Sequence, residues 1–342
     1  MSHETIKLQS SNDPYKLLHI LPNPDGSITR NEKFCPTKPA TPDPAANDNN
    51  DPVLTKDVFI NQSKNIWLRI FLPRQPLDHD SSSSDKLPLI VYFHGGGFIV
   101  HSPDMTVYHN FCSGMAVHLQ AVVVSVNYRH APEHRLPAAY DDAIEALHCI
   151  KTTKEDWLTK YVDFSNCFLM GSSAGGNLVY NVALRVAAAE VDDHDHKHNN
   201  LLPLKIRGLI LHQPAFGGVN RTGSEIRLLH DRILPACVSD LGWELSLPPG
   251  ADRDHEYCNP MVEGRGSKVL DQIKSLGWKV MVTGCDGDPL IDLQIKLVKV
   301  MNQKGVQVVG HFDAGGFHAI EFGIPSKAEA LFALLKNFVF SS

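Results

Sequence analysis

The chain has 342 residues, a formal net charge of −6 at pH 7 and 43% hydrophobic residues. This mild acidity argues against nucleic acid or an anionic membrane surface as the main partner. No stretch approaches the roughly 18 apolar residues that a membrane span needs. Seven cysteines without a CxxC pair or an even framework predict neither a disulfide scaffold nor a zinc site. The polar start of the chain lacks the apolar segment of a signal peptide, so we expect a cytoplasmic protein.

Apolar runs of strand length alternate along the chain with stretches of helical periodicity. The predicted strands are Ile66–Leu72, Leu87–Phe93, Ala121–Val126, Cys167–Gly171, Ile206–His212, Val280–Gly284 and Val306–Phe312. The predicted helices are Tyr140–Thr152, Gly175–Ala189, Asp292–Lys304 and Lys327–Phe338. Several strands are apolar almost throughout, which is typical of a parallel sheet covered on both faces. The alternation predicts a doubly wound α/β fold.

The stretch from about Phe216 to Tyr257 breaks this alternation and would insert between two strands of the sheet. It contains two helical patterns, at Ser224–Leu229 and Pro235–Leu245. The helical spacing of its apolar residues favours a packed core over a pocket wall. These residues are Leu228, Leu229, Ile233, Leu234, Val238 and Trp243.

Two polar stretches predict loops. Residues 36–52 are rich in Pro, Asn and Asp, which favours a loop on the surface. Residues 192–200 contain three alternate histidines, and we interpret them as part of a solvated loop and not as metal ligands. These histidines are His194, His196 and His198.

The sharpest motif is Gly171-Ser172-Ser173-Ala174-Gly175, which lies between an apolar strand and a helical pattern. This context is typical of a nucleophile elbow, in which the central serine occupies a strained strand-to-helix turn. The flanking glycines fit because a side chain at either place would clash in so tight a turn. The helix N-terminus behind Ser173 favours negative charge on its hydroxyl oxygen. A Ser/Gly-rich turn without chemistry is the alternative interpretation.

A second motif, His94-Gly95-Gly96-Gly97, directly follows a predicted strand. Three consecutive glycines leave backbone N–H groups unobstructed, as in the oxyanion loop of the HGGG type. The candidate oxyanion donors are Gly96 and Gly97 with Ala174, and Gly95 could replace one of them. We interpret His94 as a structural anchor of this loop.

A candidate acid lies just past the predicted strand 280–284, where open α/β sheets place functional residues. Asp286, Asp288 and Asp292 compete for this role. Asp288 precedes a proline that holds it extended before the next helix, whereas Asp292 has the position of a cap or first-turn residue. We therefore favour Asp288.

A candidate base, His318, lies in the glycine-rich segment after the last predicted strand. His311 lies inside that strand and is interpreted as a packed or edge histidine. The order Ser173, Asp288, His318 is the chain order that this type of elbow uses for its triad. The ordered set predicts a serine hydrolase.

Together these motifs resemble the plant carboxylesterases of the hormone-sensitive-lipase-like branch of the α/β-hydrolases. The resemblance runs from about residue 13 to the C-terminus. It is carried by Asn23–Arg30, His94–Phe98, Tyr128–Asp142, Gly171–Asn177, Asp288–Asp292 and Gly315–Ala319. The chain departs from the family pattern at His130, where Leu is usual, and at Ser172, where Glu, Asp or Thr is more common. The resemblance implies structural ion-pair or capping roles for Glu133 and Asp141.

The resemblance implies an α/β-hydrolase fold, with a mostly parallel central sheet, helices on both faces and a helical cap. It implies a single domain over residues 1–342, with the cap formed by the N-terminal segment (about 1–50) and an insertion (about 216–257). It also supports Ser173, Asp288 and His318 as the catalytic triad.

The predicted function is that of a serine carboxylesterase. Its substrate would be a small ester with a short acyl or methyl group, from a plant specialised metabolite, and it would need no metal or organic cofactor. We expect a monomer or a weak homodimer. Two alternatives stay open because fold does not fix function: a lyase, dehydratase or cyclase on this scaffold, and a non-catalytic binder like the gibberellin receptor. The receptor has lost the triad histidine, whereas His318 is present here.

Overall fold

The computed structural model describes residues 13–31, 33, 36–43, 51–74, 86–192, 201–262 and 265–341. In chain order, its strands are β1 (Ile20–Pro22), β2 (Ile28–Arg30), β3 (Val53–Asn61), β4 (Ile66–Pro73), β5 (Leu87–Phe93), β6 (Val122–Asn127), β7 (Val162–Ser172), β8 (Ile206–His212), β9 (Lys279–Cys285) and β10 (Val308–Asp313). Its α-helices are α1 (Pro14–Leu17), α2 (Thr106–Leu119), α3 (Ala138–Lys151), α4 (Asp156–Tyr161), α5 (Ala174–Asp192), α6 (Gly223–Arg227), α7 (Ala236–Ser246), α8 (Arg265–Ser275), α9 (Ile291–Gln303) and α10 (Pro325–Phe340). A short 3-10 helix covers Ile320–Phe322.

Eight strands form one sheet in the order β10-β9-β8-β7-β5-β6-β4-β3. The six strands from β10 to β6 in this order run parallel to one another, whereas β4 pairs antiparallel with both β6 and β3. The carboxyl ends of β7, β8 and β9 therefore meet at one edge of the sheet. The predicted fold, a mostly parallel central sheet in an α/β architecture, is confirmed.

The sheet separates two hydrophobic cores because neighbouring side chains of a strand point to opposite faces. In β5, Leu89 and Val91 face the core that contains α3 and α5, while Ile90 and Tyr92 face the core that contains α2 and α10. All four side chains are fully buried. Helices thus cover both faces of the sheet, as predicted.

The predicted strands β5 and β8 have the observed bounds, and the other strands and helices of the prediction are present with shifted ends. The strand at Cys167–Gly171 is longer than predicted, since it begins at Val162. The prediction omits the strands β1, β2 and β3 and the helices α1, α2, α4 and α8. In β3, Lys56 and Asp57 interrupt the apolar pattern, so the sequence gives a weak strand signal. The backbone hydrogen bonds of antiparallel pairing with β4 stabilise this segment as a strand.

The insertion at 216–257 contains α6 and α7, close to their predicted positions. Four charged side chains connect its parts. Arg221 and Arg253 each form ion pairs with both Glu225 and Asp240. Glu225 is only 5% exposed, so water screens its two ion pairs little, whereas the side chain of Asp240 is 42% exposed.

The described part of the N-terminal segment packs onto this insertion. Ile20 and Ile28, from the β1–β2 hairpin, share a buried cluster with Leu241 and Leu245 of α7. Arg30 ties the hairpin to the body of the fold through an ion pair with Glu133 (2.7 Å).

Among the helices of the described residues, none is long and apolar enough to cross a membrane.

Candidate active site

Ser173 lies in the tight turn between β7 and α5, at the carboxyl edge of the sheet. Its φ of 56° is in the left-handed region, which costs a non-glycine residue energy and occurs at functional turns. The turn has no room for side chains beside it. A Cβ on Gly171 would lie 2.1 Å from the Gly175 carbonyl oxygen, and one on Gly175 would lie 2.0 Å from the Phe93 carbonyl oxygen. The backbone therefore presents the serine hydroxyl at the end of the strand.

Ser173, His318 and Asp288 form one chain of hydrogen bonds. His318 Nε2 lies 2.9 Å from Ser173 Oγ, and His318 Nδ1 lies 2.9 Å from Asp288 Oδ2. Because a carboxylate can only accept, Nδ1 carries the proton and Nε2 accepts from the serine hydroxyl. Asp288 is 0% exposed and His318 is 5% exposed. This arrangement can remove a proton from Ser173.

Two further hydrogen bonds, from residues that follow Asp288 in the chain, hold its carboxylate in place. Its Oδ1 accepts from the Leu290 amide (2.9 Å), and its Oδ2 also accepts from Gln294 Nε2 (3.2 Å). The loop that carries it touches the loop of His318. A Cβ on Gly287 would lie 2.0 Å from the Gly316 carbonyl oxygen.

The two competing aspartates have other partners. Asp286 is exposed and accepts from the Gly315 amide (2.6 Å). Asp292 lies in the first turn of α9, as the sequence suggested, and accepts from the Ser224 amide (2.8 Å). His311, on the edge strand β10, pairs with Asp313.

The charges around His318 favour its protonated form. Burial by itself lowers the pKa of His318, but the charge and hydrogen bond of Asp288 outweigh burial. The carboxylates of Glu321 and Asp231 act in the same direction. The pKa of His318 is therefore raised above the ordinary value of 6.5.

The glycine loop after β5 runs beside the nucleophile. A Cβ on Gly95 would lie only 3.2 Å from Ser173 Cβ. Gly96 and Gly97 have φ values of 109° and 63°, which other residues rarely adopt. Among the hydrogen bonds of the described residues, none has the amide of Gly95, Gly96, Gly97 or Ala174 as its donor. These four amides are thus free to donate to a bound ligand.

The buried side chain of His94 anchors this glycine loop. Its ring stacks on Tyr128 with a centroid separation of 4.4 Å, and its Nδ1 lies 2.8 Å from the Gly95 carbonyl oxygen. The Tyr128 hydroxyl donates to the His94 carbonyl oxygen (2.8 Å). Burial lowers the pKa of His94 to about 3, so its ring is neutral at neutral pH.

The two positions that depart from the family pattern lie next to the nucleophile turn and the glycine loop. Ser172 is buried and its Oγ accepts from the Tyr92 hydroxyl (2.9 Å). His130 lies edge-on to His94. Burial, and after it the charge of His94, keeps the pKa of His130 well below the ordinary value.

Asp141, for which the resemblance implies a structural role, forms an ion pair with Arg185 at 2.7 Å.

Ser173 lies in the wall of an apolar cavity of about 280 Å³. The N-terminal segment contributes Leu17, Leu18 and His19 to this cavity. The expectation that the apolar residues of the insertion form only a packed core is wrong for four of them, because they line the cavity. These four are Ile233, Leu234, Val238 and Trp243. Helical spacing cannot distinguish the two outcomes, since a cavity wall and a core both need an apolar face.

Three polar partners of the site escaped the sequence analysis. Gln213, at the end of β8, accepts from the Ala319 amide through Oε1 (2.6 Å) and so holds the His318 loop. Its position just past a parallel strand was an available signal. Gln294 and His212 lie inside regular elements and gave no comparable signal.

Within the described ranges, no group of three or more His, Cys, Asp or Glu side chains could hold a metal ion. His194, His196 and His198 lie outside the described residues.

A parallel sheet that carries a serine on a strand-to-helix turn, with a histidine and a buried acid on neighbouring loops, defines the α/β-hydrolase class. The profile of the α/β-hydrolase fold family matches residues 90–322, and that of the carboxylesterase family matches residues 28–132. The solved esterase of Pyrobaculum calidifontis superposes with a TM-score of 0.66 and 25% identity, over 85% of this chain and 88% of that one.

Individual relatives narrow this class. The chain is 53% identical to Carboxylesterase 20 of Arabidopsis thaliana, over 96% of this chain and 97% of that protein. It is 43% identical to the 3-O-acetylpapaveroxine carboxylesterase CXE2 of Papaver somniferum, over 96% of this chain and 99% of that protein. The chain belongs to the plant carboxylesterases, and it is an enzyme that hydrolyses carboxylic esters.

Proposed function

We propose that the protein hydrolyses small carboxylic esters by acyl transfer through Ser173, with His318 as the general base and Asp288 as its orienting partner. The observation that carries the proposal is the buried chain of two 2.9 Å hydrogen bonds that ends at Ser173 Oγ in the cavity wall. A serine hydroxyl is a weak nucleophile unless an adjacent base removes its proton, and His318 is that base here.

In the first half of the reaction, His318 removes the proton of Ser173 Oγ as that oxygen attacks the ester carbonyl carbon. The oxyanion of the tetrahedral intermediate accepts hydrogen bonds from Gly96, Gly97 and Ala174, and Gly95 can replace one of them. His318 then protonates the departing alcohol, and an acyl-enzyme is left. In the second half, His318 deprotonates a water molecule, which attacks the acyl carbonyl carbon. His318 then returns this proton to Ser173 Oγ as the acyl–serine bond breaks, which releases the acid and restores the free enzyme.

The substrate is proposed to be a short-acyl or methyl ester of a plant specialised metabolite. A cavity of about 280 Å³ is at the small end of ligand pockets, which favours a small acyl or alcohol group. Its apolar lining favours uncharged esters. A relative from Papaver somniferum is named for an O-acetylated substrate, which is consistent with a short acyl group.

We propose that the N-terminal segment and the insertion at 216–257 together form a cap over the cavity. Support comes from the cluster that Ile20 and Ile28 share with Leu241, and from the cavity residues that both segments contribute. A cytoplasmic location and a monomeric or weakly dimeric state stay predictions from the sequence.

Turnover of 4-nitrophenyl acetate, butyrate and decanoate by the wild type and by Ser173→Ala tests the proposal. We expect the acetate and butyrate to turn over faster than the decanoate, because a small cavity excludes long chains. The variant is expected to lose about 10⁴-fold or more in kcat. Activity that survives Ser173→Ala would contradict the mechanism. An inert wild type that binds apolar ligands would favour the lyase or binder alternatives.

A further inference from the structure

His212, at the carboxyl end of β8, forms hydrogen bonds with the turn that carries Ser173 and with the 3-10 helix that follows His318. Its carbonyl oxygen accepts from the Ser173 amide (2.9 Å). Its Nδ1 lies 2.8 Å from Thr283 Oγ1, and its Nε2 lies 3.1 Å from Glu321 Oε2. Since the carboxylate can only accept, Nε2 of His212 donates to Glu321. His212 is 1% exposed, so this network is in the interior.

Glu321 places a second carboxylate beside the nucleophile turn, because its partner His212 accepts from the Ser173 amide. It lies in the 3-10 helix Ile320–Phe322, three residues after His318, and its side chain is 11% exposed. Burial raises the pKa of Glu321, but the charge and hydrogen bond of His212 outweigh burial, and the charge of His318 adds to this effect. The pKa of Glu321 is thus lowered, and its carboxylate is negative at neutral pH.

We propose that Glu321, held by His212, is a positioning residue that stabilises the protonated form of His318 during catalysis. Asp288 satisfies the Nδ1 side of His318, whereas Glu321 acts on the ring by its charge from the following 3-10 helix. A negative charge fixed in a poorly hydrated site favours the imidazolium that forms when Ser173 gives up its proton. This inference rests on the proposed function, since it needs His318 as the base.

The other ionisable groups near His318 do not replace this role. Asp288 makes the larger contribution but belongs to the triad itself, and Asp231 makes a smaller one from the segment between α6 and α7. Burial, followed by the charges of Asp288 and Glu321, raises the pKa of Cys285 to about 12. Its thiol is therefore neutral during turnover.

The test is the pH dependence of kcat/KM for 4-nitrophenyl acetate, from mildly acidic to mildly alkaline pH, for the wild type and Glu321→Gln. The base must be neutral to act, so activity falls as the pH decreases through the pKa of His318. We expect Glu321→Gln to move this acidic limb to lower pH by about half a unit, less than the one to three units that a charge in direct contact produces. We also expect kcat/KM on the plateau to fall by about threefold.

Two control variants separate charge from structure. Glu321→Asp keeps the charge, so its acidic limb should stay close to that of the wild type even if its plateau is lower. Asp286→Asn removes a carboxylate charge at an exposed position but keeps an oxygen acceptor for the Gly315 amide, so its limb and its plateau should both stay close to those of the wild type. If Glu321→Gln does not fold, Glu321→Ala is measured in the same way, since water can fill the space that Ala leaves.

An acidic limb of Glu321→Gln, or of Glu321→Ala, that coincides with that of the wild type would overturn the inference and leave Glu321 as a structural support. Failure of the proposed function has a different signature. In that case the wild type would be inactive, or Ser173→Ala would retain activity, before any comparison of limbs is made.

Discussion

Asp286, Asp288 and Asp292 lie close together in the chain, yet their surroundings give them three different tasks. Asp286 is exposed and fixes the amide of Gly315, while Asp292 ties α9 to the start of α6. Only Asp288, among the three, is fully buried and bonded to His318. A carboxylate in that position selects one tautomer of the His318 imidazole and stabilises the positive charge of the imidazolium when it forms.

Asp288→Asn tests this distinction. An asparagine amide can donate to His318 Nδ1, which would favour the wrong tautomer, so we expect kcat to fall by about 10⁴-fold. The wild-type acidic limb of kcat/KM should have its midpoint above 6.5, because the pKa of His318 is raised. In Asp288→Asn the burial of the ring is no longer offset by the same charge, so the limb should move to lower pH.

Steady-state kinetics as a function of pH provide the measurement, and Asp292→Asn is the matched control. That variant keeps an oxygen acceptor for the Ser224 amide, so we expect little change in the limb. A loss of similar size in Asp292→Asn, or an unshifted limb in Asp288→Asn, would contradict the assignment of Asp288.

Ser173, Asp288 and His318 could be predicted as candidates from the sequence, because few other positions combine such a residue type with such a local context. The context was a glycine-flanked turn, a following proline or a glycine-rich loop after a strand. The partners that hold them have weaker signals. Gln213 has only its position just past a parallel strand, Gln294 lies inside a helix, and the folded chain is needed to show which atoms these side chains reach.

At the scale of elements, the elbow between β7 and α5 depends on how closely it approaches β5. The Gly175→Ala variant would place its Cβ 2.0 Å from the Phe93 carbonyl oxygen, a backbone atom that cannot rotate away. We expect a loss of about 3 kcal/mol or more in the free energy of unfolding, at the upper end of overpacking effects. Urea denaturation of the wild type and the variant measures it.

Gly242→Ala is the matched control because it lies in α7 and a Cβ there would meet nothing within 4 Å. We expect it to increase the free energy of unfolding by about 0.5–1 kcal/mol, since alanine favours a helix over glycine. If Gly175→Ala were as stable as the wild type, the close approach of the elbow to β5 would be wrong.

Strands with long apolar runs were the most predictable elements. β5 is apolar throughout and β8 is buried except at Arg207, and both strands have the bounds that the sequence predicted. α2 escaped prediction although Tyr108, Phe111 and Met115 lie on its buried face. No side chain caps its first turn, and polar residues and a glycine interrupt its sequence, so its signal is weak.

At the scale of the whole molecule, the parallel sheet is what brings distant parts of the chain together. The carboxyl ends of β7, β8 and β9 lie side by side, and the loops after them carry Ser173, Gln213 and Asp288. His318 joins them from the loop after β10. The order of these strands could not be predicted from the chain, because apolar strands do not specify their neighbours. The cavity wall was equally hidden, since its residues come from two segments far apart in sequence.

The most direct test of the central claim is to treat the protein with a fluorophosphonate and map the adduct by mass spectrometry of its peptides. Such a probe reacts with a serine whose hydroxyl a neighbouring base activates. The geometry predicts one adduct, on Ser173, that forms much more slowly in His318→Ala. An adduct on the adjacent Ser172, or no adduct in an active wild-type preparation, would contradict the claim that Ser173 is the nucleophile.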